Sequence, residues 1–485
     1  MSRPNVKSVA IIGAGAAGAA AAAAFDAEDA FDVIQVFERR ETPGGTWIYD
    51  PDPAPPAGLK PGKNPPDVDP PLSIPRTLPV ALVPSEQTRF DRTPIYDGLT
   101  TNVPEIIMSL SDERFAYGPF APHWVPKQYI QNYFTSHRTD RFLVLNTTVE
   151  DVSRHADSWK LTLRRYDAVR KVDVWWAEHF DAVVIANGHY SVPYIPPVPG
   201  LEAYIRAFPG RITHSKFYRS AAHHANLKVL VIGNSASGHD ITQQLAHSGV
   251  VSLPVYQSRR SRNRWDGTSP PAGVAWKPII ASFDPTTGTI HFNDGSALTD
   301  IDAVIYCTGY KPSFPFWNSA ANGGPLYDYK ENRLVDSFQH TFSTRWPRQL
   351  GVVGIPRVLT FRSFEYQAIA LARLFSGGKE LPSAAAMREW EVQRAEKCGR
   401  EGRTFHTILW DDGETMEWFR WLYEFAGLPG LEGRGRCPPV LTREQRWAYD
   451  HVRKYPEPGR GEGQYGCGEE GAMGRGKEKD SAWFI

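Results

Sequence analysis

An α/β chain with two βαβ units is predicted by three observations. The strand SVAII runs into the turn Gly13-Ala14-Gly15-Ala16-Ala17-Gly18 and an alanine-rich helix, AAAAAAF. The same order restarts near Leu227, where LKVLVI meets Gly233-Asn234-Ser235-Ala236-Ser237-Gly238. Two further apolar runs, AVVIANG and IDAVIYCTGY, read as buried strands that close the units.

The elements follow in order. Residues 8–45 give strand, glycine turn, helix and the second strand DVIQVFERR. About a dozen prolines fall in 51–84, which neither a helix nor a sheet interior tolerates, so 51–92 is expected to be a surface insertion of extended character. A helix around QYIQNYF precedes the alternating strands LVLNTTVEDV, WKLTLRRY and KVDVWWAEHF. The proline-rich crossover SVPYIPPVPG then leads to the second unit. The expected division is 1–195 for the first part of one domain, 196–304 for an inserted domain, 305–455 for the return, and 456–485 for a glycine-rich charged tail.

With 485 residues, 41% of them hydrophobic, the chain can build two or three cores. Lys+Arg and Asp+Glu both total 54, so no charge excess is available to track a nucleic acid or an anionic membrane. The polar start and the glycine-broken stretch after it do not read as a signal peptide, and no run reaches the ~18 apolar residues of a spanning helix. A soluble, cytoplasmic protein with no membrane anchor is expected. Cys307, Cys398, Cys437 and Cys467 form no local pair, which disfavours a zinc knuckle or a redox dithiol; no metal is expected. A long-range disulfide stays open, with reduced thiols the simpler reading.

In the first turn, Gly13, Gly15 and Gly18 allow positive φ, close backbone approach and tight helix packing, and the amides of Ala16 and Ala17 open the helix. Glu38 ends the second strand about 20 residues on, where a carboxylate accepts ribose hydroxyls and repels a 2′-phosphate. The first site should therefore hold FAD or NAD. In the second turn Ser235 replaces the middle glycine, and the strand LPVYQS ends at Ser258 ahead of Arg259-Arg260, whose guanidiniums suit a 2′-phosphate. NADPH is favoured there, with Arg262 and Arg264 readable as a solvated basic loop.

Just ahead of the second turn stands FPGRITHSKFY, with Phe208, Gly210, His214 and Tyr218 in the spacing FxGxxxHxxxY. With both glycine turns, this resembles the flavin-containing monooxygenase family, from the first turn to about Gly377. Gly44-Gly45-Thr46-Trp47, the segment from Tyr96 to Thr101 and Asn102, Gly188-His189-Tyr190 and Cys307-Thr308-Gly309-Tyr310 match as well. The resemblance implies two Rossmann-like domains of glutathione-reductase type, with the NADPH domain inserted in a discontinuous FAD domain. It implies that Arg39, Gly45, Thr46, Trp47, Thr101, Asn102, Val149 and Gly188 border FAD, that Gln367 in FRSFEYQA neighbours the flavin ring, and that Thr308 and Gly309 belong to the cofactor set.

The implied activity is a monooxygenase that forms a C4a-hydroperoxyflavin, which Asn102 helps to hold, and oxygenates a soft nitrogen or sulfur centre of a small molecule with O2. His214 is implied to be structural rather than a base. Arg219 follows Tyr218 where Baeyer–Villiger monooxygenases usually show Trp and then Pro or Asp, so ketone oxygenation is the second reading. A catalytically silent NADP(H)-binding flavoprotein, acting as scaffold or redox sensor, is a third. A disulfide reductase would need a cysteine pair. The tail lacks the hydrophobic anchor of the animal members and resembles the soluble fungal and bacterial type, whose members are often dimers, so the oligomeric state, a homodimer included, stays open; divergence in the 51–84 insertion points to a role in specialised metabolism.

Overall fold

The computed structural model describes residues 6–53, 59–87, 89–263, 265–356, 358–359, 361–429 and 433–455. The tail 456–485 with Cys467, and Arg264, lie outside the described residues.

The first sheet has seven strands. Ser8–Ile12 lies at its heart, paired in parallel with Val33–Phe37 on one side and Ala182–Ile185 on the other. Leu350–Val352 then pairs in parallel with Ala182–Ile185, so the sheet is completed by residues far downstream. The run AVVI is buried at every position, as expected of a parallel strand covered on both faces. One cover is the helix Ala16–Ala27, whose alanines let it approach both the sheet and the helix Phe361–Phe375.

Between these strands in the chain lies a five-stranded parallel sheet in the order Ile212–His214, Ala303–Tyr306, Lys228–Ile232, Ser252–Ser258, Val274–Lys277. The predicted α/β fold with two Rossmann-like units is present. Leu230, Val231, Val304 and Ile305 are sealed in its core, each worth about 1.5–3 kcal/mol of burial.

A third sheet of four antiparallel strands departs from expectation. Its edge is Val80–Leu82, in register with Trp175, Val174 and Asp173, and that edge comes from the proline-rich insertion. The insertion is thus partly docked, not wholly superficial. Prolines are admissible there because an edge strand needs ladder bonds on one side only. Asp69, also in the insertion, is buried, accepting a bond from Ser313 Oγ at 2.7 Å and pairing with Arg89 at 3.1 Å.

No helix among the described residues is long and apolar enough to cross a membrane. Cys307, Cys398 and Cys437 are free thiols.

Candidate functional site

The first glycine turn leaves Ser8–Ile12 with Gly13 at φ +107°, where an added Cβ would meet Ala186 O at 2.7 Å. A Cβ on Gly18 would fall 1.9 Å from Gly13 O, so the helix can close on the turn only without one. Gly45, at φ +56°, lies against Gly15, and its Cβ would stand 2.7 Å from Gly15 Cα. Two strands of bare backbone therefore meet beside the start of the helix Ala16–Ala27, whose cap, Gly15, has no side chain to satisfy the first-turn amides. Those amides and the helix dipole make this a place for a diphosphate.

Glu38 is buried and accepts from Ala14 N at 2.9 Å on one carboxylate oxygen and from Arg40 N at 3.0 Å on the other. It ties the turn to the end of Val33–Phe37 while each oxygen keeps a lone pair for a ribose hydroxyl.

A cleft of about 1160 Å³ runs past these groups. It is lined by Glu38, Arg39, Thr147 and Val149, and also by Thr46, Trp47, Asn102, Leu359 and Phe361. Gly13, Gly15, Ala16, Ala17, Gly45 and Gly188 also line it. Volume, bare backbone, helix terminus and ribose acceptor fit a flavin dinucleotide.

Asn102 faces the cleft and its carboxamide has no hydrogen-bond partner among the described residues. Thr101, by contrast, is buried: its amide donates to Ala121 O at 2.8 Å and its Oγ1 accepts from Ala121 N at 3.0 Å. It pegs the loop rather than lining the cleft.

Gln367 does not reach the cleft either. It is fully buried, its Oε1 taking Gly354 N at 3.0 Å and its Nε2 donating to Thr341 Oγ1 at 2.9 Å. Its part is to hold Gly354, which does line the cleft. Gly18 likewise serves packing only.

In the second unit Gly233 has φ +107° and Gly238 packs on its carbonyl, 2.2 Å from a Cβ that glycine lacks. Ser235 caps the helix Ala236–His247 without a side-chain bond, so the amides of Ala236 and Ser237 repeat the first unit's arrangement. Ser258 is buried and bonded to Pro278 O at 2.8 Å. Thr308 Oγ1 donates to Tyr194 O at 2.5 Å, and Gly309, at φ +85°, accepts Tyr194 N, so this pair braces the crossover.

The two arginines part company. Arg259 is bonded to Asp266 at 2.8 Å and lies 3.4 Å from the Trp276 ring centroid. Asp266, which the sequence reading passed over, also accepts Asn234 Nδ2 at 2.8 Å and Asn263 N at 2.9 Å. Arg260 is exposed and carries no ion pair among the described residues.

His214 and Lys216 of the FxGxxxHxxxY stretch, and Arg219 directly after it, are buried polar groups. His214 Nδ1 accepts Lys216 N at 3.1 Å, and burial pushes the ring down to about 3, so it is neutral; it does not line the cleft. Lys216 donates to Arg92 O, and burial, with Arg39 and Arg219 nearby, pushes its amine down to about 7. Arg219 is spent on carbonyls: Asp50 O at 2.6 Å, Tyr218 O at 2.7 Å, Thr93 O at 2.9 Å and Lys216 O at 3.0 Å. Lys216 and Arg219 thus clip the insertion to the second unit. Sequence reading met Arg219 only as a departure from a motif, and missed the C-terminal wall of Tyr449 and 452–455 that lines the cleft. The capping box of Thr442 and Gln445 was the available signal for the helix leading to it.

Comparison with known proteins agrees with this geometry. Residues 84–261 and 272–414 match the flavin-binding monooxygenase-like family, and 11–58 match the NAD(P)-binding Rossmann-like domain. The flavin-containing monooxygenase FMO GS-OX5 of Arabidopsis thaliana is 28% identical over 442 residues, covering 88% of this chain and 86% of that protein. The flavin-containing monooxygenase iboF of Amanita muscaria is 30% identical over 462 residues, covering 83% and 85%. Among solved structures, S-allyl-L-cysteine S-oxygenase from Allium sativum superposes with a TM-score of 0.72 at 26% identity, covering 93% of this chain and 94% of that one. Cyclohexanone monooxygenase, at 13% identity and a TM-score of 0.55, shares the fold.

Proposed function

Because the chain belongs to the flavin-binding monooxygenase-like family, we propose that FAD lies along the first unit's cleft, NADPH docks on the second unit, and Asn102 serves the oxygen transfer. The protein is an FAD- and NADPH-dependent monooxygenase that oxygenates a soft nitrogen or sulfur centre of a small molecule with O2. When bound, the flavin supplies oxygen activation and the nicotinamide supplies the hydride.

The chain's own residues orient, shield and donate. Gly13, Gly15 and Gly45 admit the diphosphate to the bare amides at the start of Ala16–Ala27, and Glu38 fixes the ribose. Trp47, Val103, Leu359, Phe361 and Phe364 line the cleft with apolar surface that excludes water from a reactive oxygen species. Asn102 offers a neutral N–H donor in that cleft, one that cannot give its proton away at neutral pH. On the second unit, Ala236 and Ser237 amides meet the second diphosphate, and Arg260, with Arg259 behind it, meets the 2′-phosphate. The division into 1–195 and 305–455 for FAD and 196–304 for NADPH belongs to the same proposal.

The observation that carries the reading is the uncommitted carboxamide of Asn102 in a cleft otherwise built for a dinucleotide. The S-oxygenase from Allium sativum, at 26% identity, is named for sulfur, which favours sulfur over ketones. The test is to supply FAD-loaded protein and NADPH with a thioether, a secondary amine and a cyclic ketone, and to measure product mass against hydrogen peroxide. Sulfoxide or hydroxylamine, with a peroxide share that rises in Asn102→Ala, is expected. Ester from the ketone alone would replace the proposal by Baeyer–Villiger chemistry, and peroxide alone by an oxidase.

A further inference from the structure

We propose that Asp240 is a positioning residue through which the nicotinamide-nucleotide unit sets the placement of Asn102; the inference rests on the cofactor and Asn102 assignments above. Asp240 lies in the helix Ala236–His247, one turn below Ala236, whose amide the proposed function assigns to the second diphosphate. It is 8% exposed, and its carboxylate gathers donors from two other segments. Tyr96 OH donates to one oxygen, Tyr455 OH donates to the other, and Lys454 Nζ stands 3.4 Å from that second oxygen. A buried carboxylate is tolerated because three donors, one of them cationic, surround it.

Tyr96 leads directly to Asn102. Its ring is buried in the core of the second unit, edge-on to Tyr218 at 5.5 Å, while Asn102, six residues later, faces the cleft. The residues between are held at nearly every step. Asp97 N donates to Arg219 O, Leu99 N to Tyr96 O and Thr101 N to Ala121 O, at 2.8–3.0 Å. Such a loop transmits a shift at Tyr96 instead of absorbing it.

The same carboxylate holds the other wall. Lys454 Nζ also donates to Thr100 O at 3.4 Å, and the Tyr455 ring packs 4.5 Å from His239 and 5.4 Å from Trp265. A helix that moves when phosphate meets its N-terminus therefore moves Asp240, and Asp240 moves both the Asn102 loop and the C-terminal wall. The consequence is that Asn102 is in register only with the nucleotide unit seated.

The experiment compares full-length, FAD-loaded wild type with Asp240→Asn and Tyr96→Phe. The first readout is free of turnover: the change in the flavin absorption spectrum on titrating oxidised protein with NADP+. The second is hydrogen peroxide formed per NADPH with a saturating thioether. Expected in both variants are FAD content and NADP+ affinity close to wild type, a diminished spectral change, and a peroxide share raised about five- to tenfold. If Asp240→Asn loses FAD or fails to fold, Tyr96→Phe, which removes one hydroxyl, decides alone. A wild-type spectral change and peroxide share in Tyr96→Phe and in any foldable Asp240 variant overturn the inference. Wild type that makes no oxygenated product refutes the proposed function instead, and the spectral arm then still judges Asp240.

Discussion

Replacing Arg260 and Arg259 separately should give two different defects. Arg260 is exposed and unpaired among the described residues, so it is free to meet a 2′-phosphate. A charge-assisted contact of this kind is worth roughly 1.5–3 kcal/mol, and solvent around an exposed guanidinium holds it to the lower half of that range. Arg260→Ala should therefore lower kcat/KM for NADPH by about 12- to 40-fold and leave NADH, which has no 2′-phosphate, unchanged. Arg259 is already committed to Asp266 at 2.8 Å and stacked on Trp276. Its removal leaves a buried carboxylate with neutral donors only, at a cost of about 2–4 kcal/mol, so Arg259→Ala should lower the melting temperature as well as the NADPH rate. The assay is anaerobic flavin reduction against NADPH and NADH concentration, with a thermal melt of each variant. An unchanged NADPH-to-NADH ratio in Arg260→Ala would refute the assignment of the phosphate to this side chain.

Gly13→Ala puts a Cβ 2.7 Å from Ala186 O at a φ of +107°, so the purified protein should carry little flavin, read as the ratio of 450 nm to 280 nm absorbance. Burial would raise the Glu414 carboxyl, but bonds from Arg403, the Leu409 amide, Arg394 and Lys397 hold it down at about 2. Its stabilisation is then present above the ordinary carboxylate value and lost as pH falls towards 2, so Glu414→Gln should cost about 2 kcal/mol near pH 7 and nothing near pH 2, read as melting temperature against pH. Lys216 works in the opposite sense: its amine is held at about 7 in the fold, so the unfolded chain binds more protons above that value. Stability should rise from about pH 7 towards 10.5, and Lys216→Met should flatten that rise in the same melts.

The glycine turns were legible because stereochemistry allows nothing else: a Cβ at Gly18 would sit 1.9 Å from Gly13 O. Glu38 was legible by its distance from the turn. The two carboxamides show where sequence stops. Asn102 and Gln367 both stand in segments resembling the family's flavin contacts, yet Asn102, on a bend, faces the cleft, while Gln367, on the helix Phe361–Phe375, turns to Gly354, an orientation that tertiary packing decides. The strand Val80–Leu82 was hidden because its partner lies about 90 residues away and its neighbours are prolines. Arg259 looked like a free cation because Asp266 reaches it through the fold of a loop.

The pairing of Leu350–Val352 with Ala182–Ile185 bears on how the polypeptide is made. About 165 residues separate those strands, so at roughly 10 residues per second the ribosome leaves the buried edge of Ala182–Ile185 bare for about a quarter of a minute. The second unit's five strands, by contrast, fall within 212–306 and can assemble as soon as they emerge. The domain begun first is finished last, and an exposed parallel edge waits for a partner throughout. Nascent chains stalled between the two strands should thus be the species that chaperones bind and that aggregates when expression outruns them.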